Sequence, residues 1–225
     1  QMYSVRLEPE TPIFLAPGRR RVGVIERIGP LGQVITPLDE DSVIQAIKKL
    51  QSEGVTSLAV VLLFSFVNPT HEQRIREIVF EHCPEMLVSL SSDVDPVFRE
   101  YERSVVTAFD AYIKPTVDAY LSNLSQVLRD KNVATSLQVM QSRGGLADSE
   151  IARIRPVRLF LSGPAGGVIG ALSEGRSSGF NNLISVDIGG TSCDIALIND
   201  AKPLIRQEGV IDRYTVRVPM VDVNA

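Results

Sequence analysis

The spacing of apolar residues changes several times along the chain, and each change predicts an element. Residues 1–37 read as β-rich. Alternating stretches at 21–26 and 33–36 flank Gly29-Pro30-Leu31-Gly32, a turn cluster that predicts a hairpin. From Pro37-Leu-Asp-Glu-Asp41 the period becomes helical: Val43, Ile44, Ile47 and Leu50 recur on one face, with Asp41 or Ser42 as the expected cap. Gly54 ends that helix. The apolar run 57–66 is too short to span a membrane and predicts a strand buried on both faces, as in a parallel sheet. Asn68-Pro69 has the chemistry of a helix start. Ile75, Ile78, Val79 and His82 then form one face of a second helix, and residues 86–90 form a further strand. The order β-α-β-α-β predicts an α/β architecture with mixed sheets and flanking helices.

Beyond Asp95-Pro96, a stripe through Phe98, Tyr101, Val105, Phe109 and Tyr112 predicts a helix whose aromatics face the core. Pro115 interrupts it. A second stripe runs through Val117, Tyr120, Leu121, Leu124, Val127 and Leu128, so two helices or one kinked helix are expected. Lys131-Asn132 closes this region and sets the expected domain division, 1–130 and 131–225. The second part predicts a strand at 136–140, a Gly-bearing loop at 142–145, a short helix at 148–154 and a strand at 157–161. A helix opening at Gly163-Pro164 and reaching about Glu174 should follow. Two apolar strands, 183–188 and 193–198, then flank Gly189-Gly190-Thr191-Ser192, with a hairpin-like stretch at 202–206 after them.

Composition narrows the function classes. The 225 residues carry 23 Lys+Arg against 27 Asp+Glu, a net charge of −4, which argues against a protein that tracks nucleic-acid phosphates. Two cysteines, Cys83 and Cys193, and two histidines, His71 and His82, provide neither a disulfide framework nor a zinc spacing. With no run near the roughly 20 apolar residues of a membrane span, a soluble, cytoplasmic protein is expected.

The strongest chemical signal is Asp187-Ile-Gly-Gly-Thr-Ser-Cys-Asp194 between two strands. Gly189 and Gly190 let backbone amides approach phosphate oxygens, and Thr191 and Ser192 add hydroxyl donors. Asp187 and Asp194 supply carboxylates able to hold Mg²⁺ directly or through water. A plain four-residue hairpin turn uses the same residue types, so the loop alone leaves both readings open. The small-residue run Gly163-Pro-Ala-Gly-Gly-Val-Ile-Gly-Ala171 upstream is neither a Walker loop nor a dinucleotide fingerprint.

The order strand, Gly/Ala helix, strand–DxGGT–strand resembles the start of the second lobe of the actin, sugar-kinase and heat-shock-chaperone ATPases, an actin-like (ribonuclease H-like) fold. More narrowly, the chain resembles the hydantoinase A/5-oxoprolinase family. The motifs are Pro37-Leu-Asp-Glu40, Arg99-Glu-Tyr-Glu-Arg103, Ala111-Tyr112, Met140-Gln-Ser-Arg-Gly-Gly145, Ser162-Gly-Pro-Ala-Gly-Gly167 and Asp187–Asp194. The resemblance implies that a parent protein uses ATP and Mg²⁺ to phosphorylate and open a cyclic amide, with a hydantoinase B-like subunit or domain as partner. Ketone-carboxylase subunits of the same family, and a non-catalytic actin-like association lobe, are the alternatives. The family's first Asp-x-Gly-Gly-Thr loop has no counterpart here, so the chain reads as a middle piece of a longer protein, inactive when isolated.

By the same resemblance Gly189, Gly190, Thr191 and Ser192 would contact ATP phosphates, Asp187 would organise Mg²⁺, and Asp194 would be a second catalytic carboxylate. Cys193 is expected to face the core. Gln141, Ser142, Arg143, Gly144 and Gly145 follow a strand end, where ligands gather in α/β sheets, and Arg143 can neutralise an oxyanion or carboxylate. Arg99-Glu-Tyr-Glu-Arg103 reads as a helix-surface ion-pair network. Gly163, Gly166 and Gly167 read as packing glycines at a lobe interface ahead of phosphate ligands.

Overall fold

The computed structural model describes residues 15–211 and 214–224, so the first part of the expected β-rich segment, residues 1–14, lies outside the described residues. Two compact units divide the chain: Gln1–Phe109 with Val210–Val216, and Asp110–Gly209 with Arg217–Ala225.

In the first unit the Gly29–Gly32 turn does close a hairpin, but between β1 (Arg27–Ile28) and β2 (Val34–Thr36), not from 21–26. Residues just before β1 are tied elsewhere. The Ile25 amide donates to Ser42 Oγ, and the Ile25 carbonyl accepts the Asp39 amide. Helix α1 (Glu40–Ser52) is capped two to three residues earlier than expected, by Asp39, whose Oδ1 accepts the amides of Asp41 and Ser42. Strand β3 (Ser57–Val60) pairs in parallel with β4 (Leu87–Leu90) across helix α2 (Thr70–His82), the predicted crossover.

The predicted strand 57–66 stops at Val60. Its continuation is bent into a turn that Glu72 and Arg103 hold: the Leu62 amide donates to Glu72 Oε1 at 2.9 Å and Arg103 Nη2 donates to the Leu62 carbonyl at 2.7 Å. On α2 the buried face is His71, Glu72, Ile75, Ile78 and Val79, while His82 is exposed and Cys83 takes its place inside. Val43 and Ile47 of α1, Ile75, Ile78 and Val79 of α2, and Val60 and Leu90 of the strands form one core. Each such side chain contributes about 1.5–3 kcal/mol by leaving water.

One-turn helix α3 (Ser91–Val94) precedes α4 (Glu100–Asp130), which runs unbroken through Pro115 as a single helix. Its buried positions are Val105, Val106, Phe109 and Leu121, whereas Phe98 (just before it), Tyr101, Tyr112 and Tyr120 are exposed, against the core-facing expectation. Val105 and Phe109 of the predicted stripe are buried as expected, and the remaining rings fall to its side. Arg103, placed by the sequence on the helix surface, is fully buried under the Phe66 ring.

The second unit opens with the antiparallel pair β5 (Gln138–Met140) and β6 (Leu146–Asp148), then α5 (Ser149–Ile154). The predicted strand 157–161 is instead a 3₁₀ turn over Pro156–Leu159. Proline starts the turn, and the Val157 amide is captured by Asp110 Oδ1 at 3.0 Å rather than by a neighbouring strand. Helix α6 (Ser162–Ser177) follows, and then β7 (Leu183–Ile188), β8 (Cys193–Asn199), β9 (Lys202–Pro203), β10 (Ile205–Arg206) and β11 (Gly209–Ile211). Strand β12 (Tyr214–Val216) belongs to the first unit, and β13 (Met220–Val221) and β14 (Val223–Asn224) to the second.

The main sheet of the second unit is antiparallel in the order β14-β8-β7, with β9 on β8, and α6 covers one face through Ala165, Val168 and Leu172 against Ala196, Ile198 and Val221. Among the described residues no helix is long and apolar enough to cross a membrane.

Candidate functional site

Strand alternation sorts β7 and β8 into two unlike faces. In the register Ile184↔Leu197, Val186↔Ile195 and Ile188↔Cys193, all six side chains point away from α6, and all are exposed. Cys193 is therefore on an open apolar face and not in the core as expected. The opposite face carries Leu183↔Ile198, Ser185↔Ala196 and Asp187↔Asp194. Its buried end packs on α6, and the two aspartates stand directly across from each other at the other end.

Two carboxylates at a cross-strand pair repel, which costs stability unless a cation lies between them. Among the described residues neither Asp187 nor Asp194 has an ion pair or a side-chain hydrogen bond. They line a groove of about 290 Å³ with Ser185 on the sheet and Pro164, Gly167, Val168 and Ala171 on α6. Gly167 is what keeps it open. A Cβ there would sit 3.5 Å from Asp187 Oδ2, and any longer side chain would project over the carboxylate.

Gly189 to Ser192 join the strands as an exposed turn closed by one bond, the Gly189 amide to the Ser192 carbonyl at 3.0 Å. The amides of Gly190, Thr191 and Ser192 make no hydrogen bond among the described residues, and a Cβ on Gly190 would meet open space. Three donors are thus left at the tip, next to two carboxylates.

The loop Gln141–Gly145 is a separate turn, closed by the Gln141 amide on the Gly145 carbonyl and the Gly144 amide on the Gln141 carbonyl, with Gly144 at φ +84°. Ser142 is buried: its amide and Oγ both donate to the Arg158 carbonyl, at 2.7 and 2.6 Å, and its carbonyl accepts the Val221 amide. Arg143 is exposed. Gly166 lies against Met140 just before this loop, while Gly163 and Gly170 of α6 face open space. The close-packed glycine is Gly175, which sequence reading did not single out; a Cβ there would collide with Leu183. Ser185 was missed too, although its place two residues before Asp187 on a strand puts it on the same face. So were Arg155 and Arg158, whose spacing of three on a turn was the available signal. No group of three or more His, Cys, Asp and Glu that could hold a metal occurs among the described residues.

Comparison with known proteins gives this geometry a context. A nucleotide-free structure of acetone carboxylase superposes with a TM-score of 0.77 at 32% identity, over 90% of this chain and 29% of that one. The ATP-dependent caprolactamase of Pseudomonas jessenii superposes with a TM-score of 0.79 at 32% identity, over 89% and 29%. The fold is that of the actin-like ATPases. The hydantoinase/oxoprolinase profile matches residues 103–225, and the profile of that family's N-terminal region matches residues 1–83. The chain belongs to the hydantoinase/oxoprolinase family. Among curated relatives, the 5-oxoprolinase of Saccharomyces cerevisiae is 36% identical over 90% of this chain and 16% of its own length. The caprolactamase subunit alpha of Pseudomonas jessenii is 32% identical over 94% and 30%. The chain spans about a third or less of the curated relatives it matches.

Proposed function

We propose that this chain supplies a phosphate loop to an ATP-dependent enzyme that activates and opens a cyclic amide. In this reading residues 1–130 close a first lobe and residues 131–225 start the second. The observation that carries it is the unpartnered Asp187–Asp194 pair facing Gly167 beside a turn with three open amides. The fit to a nucleotide rests on that donor set: free amides for phosphate oxygens, and paired carboxylates whose repulsion a divalent cation would relieve.

When bound, Mg-ATP supplies the phosphoryl group that activates an amide oxygen. This chain's residues would bind and orient it. The amides of Gly190, Thr191 and Ser192 and the two hydroxyls bind phosphate oxygens. Asp187 would hold Mg²⁺ or its water shell, with Asp194 opposite as the second carboxylate. Gly167 leaves the room this requires. The relatives named as subunits, caprolactamase subunit alpha and acetone carboxylase beta subunit, support a partner subunit, which this reading takes to be of the hydantoinase B type.

Asp187→Ala in the full-length protein tests the reading: ATP-dependent turnover of a lactam, hydantoin or 5-oxoproline should fall by at least 100-fold, about 2.7 kcal/mol. Unchanged turnover would remove the assigned role. A ketone-carboxylase reading is favoured by the acetone carboxylase superposition. It predicts ATP hydrolysis that requires a ketone and bicarbonate in place of a cyclic amide.

A further inference from the structure

We propose that Arg143, Arg155 and Arg158 form a binding site for an oxyanion, a carboxylate or a phosphate, on the backbone scaffold that Ser142 and the Pro156–Leu159 turn hold together. The inference stands whether or not the β7–β8 turn binds nucleotide.

The scaffold is fixed. The Arg158 amide donates to the Arg155 carbonyl at 3.2 Å, which closes the Pro156–Leu159 turn and brings the two residues together. Pro156 and Val157 are buried beneath them, with the Val157 amide on Asp110 Oδ1. The Ser142 amide and hydroxyl both donate to the Arg158 carbonyl, and this pins the loop that carries Arg143 beside the turn.

The charge is uncompensated. Burial pushes the half-buried Arg158 guanidinium below its ordinary pKa, and repulsion from Arg155 and then Arg143 adds to this, while Asp110 pulls the other way. Asp110 cannot serve as counter-ion to three arginines, because its oxygens already take the Val157 amide and the Lys114 ammonium, the latter at 3.4 Å. No side chain among the described residues accepts a hydrogen bond from Arg143, Arg155 or Arg158. Guanidiniums gathered on rigid backbone without an acceptor match the bidentate geometry of carboxylate and phosphate. Arg143 follows Met140 by three residues, Met140 lies against Gly166, and Gly167 faces Asp187. Gly144 of the same loop lies against Ile169 of α6, and the chemistry of the guanidiniums allows two sources for the anion, a substrate carboxylate or a nucleotide phosphate.

Thermal melting of the full-length protein at constant ionic strength tests the site, with inorganic phosphate and succinate as probes. Both should raise the wild-type melting temperature saturably, and Arg158→Gln should need about tenfold more of either anion. Without anion, Arg158→Gln should melt at or above the wild type, because it removes a repelled charge. If Arg158→Gln does not fold, Arg143→Gln on the exposed loop carries the same expectation. Saturating Mg-ATP that abolishes the phosphate response assigns the site to nucleotide phosphate; a response that survives assigns it to the substrate's carboxylate. Non-saturating shifts shared by wild type and variants overturn the proposal. So does an Arg158→Gln protein that melts lower without anion yet keeps the wild-type anion response, since that marks a purely structural arginine.

Discussion

Glu72 is fully buried, and its charge is carried by three donors: the Leu62 amide and Ser91 Oγ on Oε1, and the Ser92 amide on Oε2. The carboxylate therefore stitches the turn after β3 to the start of α3. Glu72→Ala would strand the Leu62 and Ser92 amides and leave Ser91 Oγ only Ser65 Oγ at 3.0 Å, and urea unfolding should show a loss of about 3 kcal/mol. Asp187 has the opposite balance, since its nearest charged neighbour repels it. Asp187→Asn should leave stability unchanged or raise it by about 0.2–1 kcal/mol while activity falls. A loss of stability instead would mean that the aspartate has a structural partner. At the surface, hydrogen bonding to the Arg74 guanidinium holds the Glu40 carboxyl below its ordinary pKa. A carboxyl lowered by folding adds stability that is present above the unfolded-state pKa and fades as pH falls through the lowered value. Glu40 is exposed, so this slope should be small and should shrink in salt, and comparing acid unfolding of wild type and Glu40→Gln at two salt concentrations checks it.

Helix α6 carries five glycines with unlike duties, and substitution separates them. Gly167→Ala places a methyl at ordinary contact distance from Asp187, so helix propensity should decide and stability should rise by about 0.5–1 kcal/mol. Gly167→Leu should instead fill the groove and abolish nucleotide binding without unfolding the protein. Gly175→Val meets Leu183 and the Phe180 carbonyl, and should cost about 1–3 kcal/mol in chemical denaturation. Elements with a strong period were legible in the sequence: α1, α2, β7 and β8 lie where their apolar spacing puts them. The strands expected over 57–66 and 157–161 were not, because runs of apolar residues fit a buried turn as well as a strand. What bent them is contact across sequence distance, Glu72 with Leu62 and Asp110 with Val157, which no local pattern contains. The aromatic stripe on α4 misled for a related reason, since spacing marks a face but not which face is covered.

At the scale of the molecule, the family motifs carried further than composition. Asp187–Asp194 was recognisable as a hairpin loop edged by acids, and the register sets the two acids across from each other. Arg143 was singled out alone, and its grouping with Arg155 and Arg158 was not legible because it depends on a loop and a turn brought together by Ser142. The outer face of β7 and β8, with Ile184, Val186, Ile188, Ile195 and Leu197 exposed, is a contiguous apolar surface of the kind that drives association. The isolated chain should therefore show concentration-dependent mass in light scattering, reduced by Ile184→Thr with Val186→Thr. That same face carries Cys193, exposed beside the Gly189–Ser192 turn, while the chain's other thiol, Cys83, is shut inside the first unit. A maleimide fluorophore would consequently attach at one position, a few residues from the open amides, and turn the chain into its own optical sensor of whatever settles on that loop.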